Sequence, residues 1–232
     1  MENLLYEYMS KRFNAEHELH DPLKGFGPVI TISRQAGCGA SKIAHDICQL
    51  LNTNPFLKGK PIPWQFINHE ILEKSAEKLD LDPRKLNRVI TDKERGIMDQ
   101  IVEAMSGHAH KSDQKIMKTL QDVIRQFAEH GNVVIVGRGG AAVSQHIAKS
   151  LHVRLEAPFD WRVEKVMKKL EYSREYATQY IKRLDGEREM YVHRMLQDPK
   201  HYSIYDVILN PSRFTEKQMV DIIIQVAVAK GL

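Results

Sequence analysis

Short runs of apolar and β-branched residues, each cut off by glycine, proline or polar residues, constrain this chain more than any other feature. Four are plain: Pro28 to Ser33, Asn132 to Val136, Leu151 to Leu155 and Tyr205 to Asn210, with a weaker fifth from Pro63 to Asn68. Each has strand length and punctuation, and none shows the clean alternation of a half-exposed strand, so they read as strands covered on both faces. Between them the apolar spacing becomes helical. Ile116, Met117, Leu120, Val123, Ile124 and Phe127 recur at three- and four-residue intervals, as do Val163, Val166, Met167 and Leu170, and Met219, Val220, Ile223 and Val226. Strands alternating with helices imply right-handed crossovers and an open α/β sheet. Two stretches stand apart. Residues 82–130 read as helical throughout, with Ile97, Met98, Ile101, Val102 and Met105 on one stripe and a loop from Gly107 to Ser112, which predicts a helical insert. Residues 1–27 read as a helical extension that ends before Asp21 and Pro22.

Composition narrows the function classes. Hydrophobic residues at 42% and charged residues at 28% are ordinary for a globular chain and exclude disordered and disulfide-stapled classes. The formal charge of +4 suits phosphate ligands. It is too small to indicate nucleic acid, and the basic residues are interleaved with acids rather than aromatics, so no nucleic-acid partner is expected. Cys38 and Cys48 have neither zinc-ligand spacing nor a redox pair, which predicts a reduced, cytoplasmic protein. No apolar stretch has the roughly 18 residues of a membrane span, and the N-terminus is too charged for a signal peptide, so no membrane partner is expected. Oligomeric state is not legible in the pattern.

Three segments carry candidate chemistry. Ile30 to Ala44, ITISRQAGCGASKIA, is a strand, a small-residue turn and a helix, the arrangement in which backbone amides approach a phosphate. Aligned at Gly39 on the phosphate-loop pattern G-x-x-x-x-G-K-S/T, Arg34 stands at the first glycine, Ala40 at the lysine and Ser41 at the hydroxyl. The spacing fits a phosphate loop and equally an ordinary tight strand-to-helix turn. Val134 to Ala142, VIVGRGGAA, repeats that pattern with Arg138 at its mouth, placed either for an anionic ligand or for a neighbouring acid. Between Arg174 and Arg194 basic and acidic residues mix, and Asp185 and Arg188 share a helix face, to grip a ligand or to form a solvated salt-bridged surface. His108 and His110 lack a third metal ligand and read as loop residues, Trp64 and Trp161 as packing residues, and Cys38 as a small filler.

In order, ITISRQAGCGASKIA, INHEILEKSAEKL, VVIVGRGGAA, VRLEAPFDWRVEKVM, DGEREMY and YDVILNPS resemble the cytidylate kinase-like family of nucleoside monophosphate kinases. The resemblance implies a P-loop NTPase-like three-layer α/β fold over residues 28–232, with a five-stranded parallel sheet, a monophosphate-binding insert at 82–130 and a lid at 172–195. It also implies ATP and Mg2+ as cofactors and small-molecule nucleotides as partners, with the ATP γ-phosphoryl group moving to CMP or dCMP by in-line transfer. By position, Arg34, Gly37, Cys38, Gly39, Ala40 and Ser41 would line the ATP phosphates, with Ser41 on the metal and Asn210 near the adenine. Arg138, Asp185 and Arg188 would hold the acceptor, and Arg162 would lie near the transferring group. Three positions depart from the family's pattern: Ala40 for the loop lysine, Val136 for the acid before the Gly-Arg turn, and Ile181 for an arginine. Lys42 or Arg34 would then supply the missing charge, with Lys42 joining Arg138 and Arg162 in catalysis. Two other readings stay open, a nucleotide-binding regulatory protein without catalytic power and a kinase of another small acceptor.

Overall fold

The computed structural model describes residues 26–53, 63–68, 121, 124–195 and 202–232. The expected N-terminal helix, most of the expected insert and both loop histidines, His108 and His110, lie outside the described residues.

All five expected strands form, as β1 (Val29–Arg34), β2 (Gln65–Ile67), β3 (Val133–Val136), β4 (Ser150–Leu155) and β5 (Val207–Leu209). They make one parallel sheet in the order β2-β3-β1-β4-β5. Around it lie α1 (Ala40–Thr53), α2 (Gly140–Val143), α3 (Phe159–Leu170), α4 (Arg174–Met195) and α5 (Glu216–Ala229), with a further helical stretch at 124–130. The α5 start is fixed by a capping box, in which Thr215 and Gln218 satisfy each other's backbone amides.

Period-two chemistry divides the sheet into two buried faces. Ile30, Ile32, Val134, Val136, Leu151, Val153 and Leu155 join Ile43, Ala44 and Ile47 of α1 and Met219, Val220 and Ile223 of α5 in one core. At roughly 1.5–3 kcal/mol for each fully buried aliphatic side chain, this layer is the larger apolar contribution among the described residues. The other face is closed around β1 by α2, where Gly140 lies so close that a Cβ would come within 2.8 Å of Ile135 Cγ2. A second, smaller cluster of Val163, Val166, Ala177 and Ile181 forms where α3 meets α4, and Ala36 from the turn after β1 inserts into it. That insertion places the turn under the α3–α4 pair. Ile181 is fully buried there.

One polar pair interrupts the second sheet face. Thr31 Oγ1 and His152 Nδ1 meet at 2.9 Å between neighbouring central strands, both buried. Burial pushes His152 below its ordinary value of 6.5, against the opposing pull of Asp206. The folded protein therefore holds His152 neutral while the unfolded chain takes up a proton, so stability present above pH 6.5 is lost as pH falls toward the folded pKa. Melting temperature is expected to decline from about pH 6.5 downward, and His152→Asn to remove that part of the decline. An unchanged acid limb in the variant would refute this assignment.

Candidate functional site

The glycine turns after β1 and β3 and Asn210 after β5 leave the sheet at the carboxyl ends of their strands, where ligands settle in open α/β folds, and α4 packs over the first of these turns. The turn after β1 runs from Gln35 to Gly39. It is strapped to the end of β4 by Gln35 N donating to Leu155 O at 3.0 Å and by Ala157 N donating to Gln35 Oε1 at 3.1 Å. Gly37 and Gly39 have φ of +87° and +74°, a left-handed backbone that L side chains resist. Glycines of this kind leading into the first turn of a 14-residue helix are the backbone that phosphate-binding turns use, although here Cys38 N is given to Gln35 O at 3.4 Å. Cys38 is buried in the turn, and burial pushes its thiol up to about 11, as befits a small filler rather than a nucleophile. Ser41 follows in the first turn of α1, exposed.

The two residues expected to replace the loop lysine part company. Lys42 lies on the solvent side of α1, its Nζ 3.0 Å from Asp46 Oδ2 and 3.1 Å from Glu216 Oε2. These bonds, Asp46 first, hold its pKa above the ordinary lysine value. The structure thus commits Lys42 to a surface link between α1 and α5 and does not bring it into the group of cations described next. Arg34 crosses instead to the end of β3, its Nη1 against Gly137, where any Cβ would overlap it. Gly137, Arg138 and Gly139 have φ of +73°, +55° and +64° in succession. A left-handed arginine between two glycines is a strained arrangement of the kind that functional sites retain. Burial first, then the like charges of Arg188 and Arg138, push Arg34 down to about 9, so it stays cationic at neutral pH but sits at electrostatic cost.

Arg188 reaches the same place from α4. Burial lowers its pKa despite the opposing charge of Asp185. Its Nη1 and the Tyr191 hydroxyl are both buried without a hydrogen-bond partner among the described residues. Tyr191 is only 7% exposed, and burial pushes it up to about 12 against the pull of Arg138. Buried donors without acceptors are rare in folded proteins, because each costs about 1–3 kcal/mol.

Asp185 ties this helix to the phosphate-type turn. Its Oδ1 accepts from Ala36 N at 2.6 Å and its Oδ2 from Arg162 Nη1 at 2.5 Å, while Arg188 Nη1 lies 3.7 Å from Oδ1. Arg162, 5% exposed, also donates to Ala157 O at 3.0 Å and Ala36 O at 3.2 Å. Expected near a transferring group, Arg162 is here bound up in holding the turn. A solvated salt-bridged surface, the other reading of this helix, does not describe its inner side: Glu187 is 7% exposed and paired with Arg183 at 3.4 Å. Asn210, at the end of β5, uses Oδ1 to accept from Ser212 N at 2.9 Å and Ser212 Oγ at 2.7 Å, which shapes the turn at the far end of the same edge.

Glu187 and Tyr191 were not among the residues expected from sequence. The legible signal was spacing, since Tyr191 follows Arg188 by three positions and so shares its face. The expected packing tryptophans are half-buried. Trp64 lies against the main core and exchanges hydrogen bonds with Asn52, and Trp161 stacks under Lys165 Nζ at 5.0 Å from its ring centre.

Among the described residues no three His, Cys, Asp or Glu side chains gather as a metal site, and Val136, the position at which the resemblance expects an acid, belongs to the apolar core. The Ser41 hydroxyl beside the loop amides fits a metal held chiefly by nucleotide oxygens. No described helix is long and apolar enough to cross a membrane.

A five-stranded parallel sheet of this order, with a glycine turn at the end of its central strand and a helix springing from it, is an α/β fold with the expected sheet. The chain belongs to the cytidylate kinase-like family, whose sequence profile matches residues 29–213. An uncharacterized protein from Eubacterium ventriosum shares the fold, with a TM-score of 0.62 at 16% identity over 87% of this chain and 98% of that one. Shikimate kinase from Bacteroides thetaiotaomicron superposes with a TM-score of 0.40 at 11% identity, over 85% and 94% of the two chains. A curated relative, a protein of Corynebacterium glutamicum named uronate isomerase, is 27% identical over 173 residues. That match covers 72% of this chain and 33% of the relative, so the chain spans about a third of that protein's length.

Proposed function

We propose that the protein is a nucleoside monophosphate kinase, with CMP or dCMP as its acceptor. One observation carries this reading: Arg34 of β1 lies against Gly137 beside Arg138 at the end of β3, within reach of the charge of Arg188 from α4, next to a turn whose glycines are left-handed. Family membership supports the reaction class, and the Asp185 and Arg188 pair of α4 supports the cytidine acceptor.

In this reading Gly37, Cys38, Gly39, Ala40 and Ser41 line the ATP phosphates, and Asn210 lies toward the adenine. Mg2+, when bound through Ser41 and the nucleotide, neutralises charge on the phosphate oxygens. Arg138 and Arg188 fix the acceptor phosphate in line with the γ-phosphoryl group. The transfer then needs positioning and positive charge rather than a covalent enzyme intermediate. Arg162 acts from behind the loop as a positioning residue, through Asp185 and the Ala36 carbonyl. Lys42, bound to two carboxylates, has no part in this arrangement. Residues 172–195 serve as the lid and the 82–130 segment as the acceptor-side insert.

A second reading, a nucleotide-binding protein without catalysis, is favoured by one specific observation: Ala40 and Val136 leave the loop without its usual cation and acid. Both readings predict stabilisation by ATP. Incubation with ATP, Mg2+ and each of CMP, dCMP, UMP, AMP and GMP separates them, with diphosphate product and free phosphate both measured. Selective conversion of CMP or dCMP is expected. ATP binding with no product from any acceptor would overturn the kinase in favour of the second reading.

A further inference from the structure

We propose that α4 is a jointed helix with Gly186 as its joint: the half from Arg174 to Asp185 stays clamped to α3 and to the turn after β1, and the half from Glu187 to Met195 swings as the site opens and closes. The inference rests on reading residues 172–195 as the lid, and it confines the moving part to the second half of α4.

Gly186 itself comes first. It lies in the interior of a 22-residue helix, where a Cβ would meet nothing within 4 Å and the backbone is not left-handed. Neither packing nor backbone geometry calls for glycine here. Its neighbours on that face, Lys182 one turn before and Met190 one turn after, are exposed, so the open side is toward solvent and not toward a ligand. Glycine is among the least favourable residues for a helix interior, because it brings backbone freedom, and helices bend where it occurs.

The clamped half comes second. Ala177 and Ile181 are wholly buried with Val163, Val166 and Ala36. Arg174 Nη2 lies 2.9 Å from Asp160 Oδ1, and the Tyr176 and Tyr180 rings both meet the Tyr172 ring edge to face. At the end of this half, Asp185 accepts from Ala36 N at 2.6 Å and from Arg162 Nη1 at 2.5 Å. Apolar burial and charge-assisted bonds thus stop immediately before the glycine.

The second half is held differently. Beyond Gly186, Tyr191 is the only buried side chain with an apolar body among the described residues of α4, and its hydroxyl and Arg188 Nη1 are enclosed without a hydrogen-bond partner. Two ion pairs cross the joint and both are long: Arg183 Nη1 to Glu187 Oε1 at 3.4 Å and Arg188 Nη1 to Asp185 Oδ1 at 3.7 Å. Few buried apolar contacts together with unpaired polar groups mark a segment that opens at lower free energy than its surroundings. A helix anchored this unequally, with glycine between its parts, moves at the glycine.

Hydrogen exchange on the full chain without ligand tests this directly. Amides 187–191 are expected to exchange at least about tenfold faster than amides 178–185, with a step at residue 186 rather than a gradual rise toward the helix end. Gly186→Ala is expected to raise the melting temperature by roughly 2–4 °C through helix propensity and to shrink that step several-fold. Gln179→Ala, exposed on the clamped half, is expected to leave the step in place. In turnover of the proposed acceptors, Gly186→Ala is expected to lower kcat several-fold with KM for ATP little changed, so that stability and activity move in opposite directions. A merely structural glycine would give the stability gain without the loss of kcat. Equal protection of the two halves, or a gradient without a step, would overturn the joint, as would a Gly186→Ala variant that slows both halves alike or keeps full kcat. A parent that turns over no monophosphate would sink the kinase reading, and the exchange step would then decide the joint by itself.

Discussion

Asp185→Ala is expected to destabilise the fold by about 3 kcal/mol and to remove the proposed phosphoryl transfer together with it. The carboxylate is not a surface ornament. It neutralises Arg162, whose side chain is 6% exposed, and accepts from the Ala36 amide, so its loss leaves a buried cation uncompensated and a backbone donor unpaired. The lower end of the range for a broken buried pair applies, because the Asp185 side chain keeps 20% exposure and water can enter. Asp185→Asn retains an acceptor for Ala36 and is expected to fall between the parent and the alanine variant. Chemical denaturation of the two single variants, of Arg162→Met and of the Asp185→Ala/Arg162→Met double variant gives the coupling directly. The double variant is expected to recover part of the loss. Additive losses, or an Asp185→Ala variant within 0.5 kcal/mol of the parent on the roughly ±0.5 kcal/mol scale of surface substitutions, would refute the clamp.

Gly137→Ala is expected to lower kcat/KM of the proposed phosphoryl transfer by about 100-fold, the penalty for displacing a positioning group by about 1 Å. Two effects meet at this residue. A side chain in left-handed backbone costs roughly 1–2 kcal/mol, and the new methyl group would occupy the place of Arg34 Nη1. Gly231→Ala separates them. Gly231 has a φ of +71° and nothing within 4 Å of a built Cβ, so it bears the backbone strain far from the arginines. Stability is expected to fall in both variants and catalytic efficiency only in Gly137→Ala. Equal kinetic losses, or none in either, would refute the contact between Gly137 and Arg34.

The strands were legible because each is a short apolar run with sharp ends, and their boundaries moved by at most a few residues. Sheet order was not legible from those runs, since β1 pairs with strands more than 100 positions away and no spacing rule encodes that choice. The site divides in the same way. Gly37, Gly39 and Arg138 announce themselves through glycine spacing at strand ends. The bond from Ala36 N to Asp185 spans 149 positions and depends on how α4 folds back over the turn, which a linear pattern does not contain. Lys42 is the instructive case. Proximity to the glycine turn suggested a phosphate ligand, yet two local signals pointed outward. Asp46 lies four residues on, at ion-pair spacing, and Ile43, Ala44 and Ile47 fix the buried side of the helix. Tyr191 was read as one letter of a motif because its burial is a property of the tertiary packing of α4.

The two thiols have a practical meaning as well. Cys38 and Cys48 are both buried, with values pushed up to about 11 and about 12 by burial, so neither is a reactive thiolate in the closed fold. Both pack in the main core, Cys48 from α1 and Cys38 from the turn that Asp185 and Arg162 hold shut. The native chain therefore carries its own chemical clock: the alkylation rate of Cys38, with Cys48 as the internal zero, counts how often that turn opens to solvent.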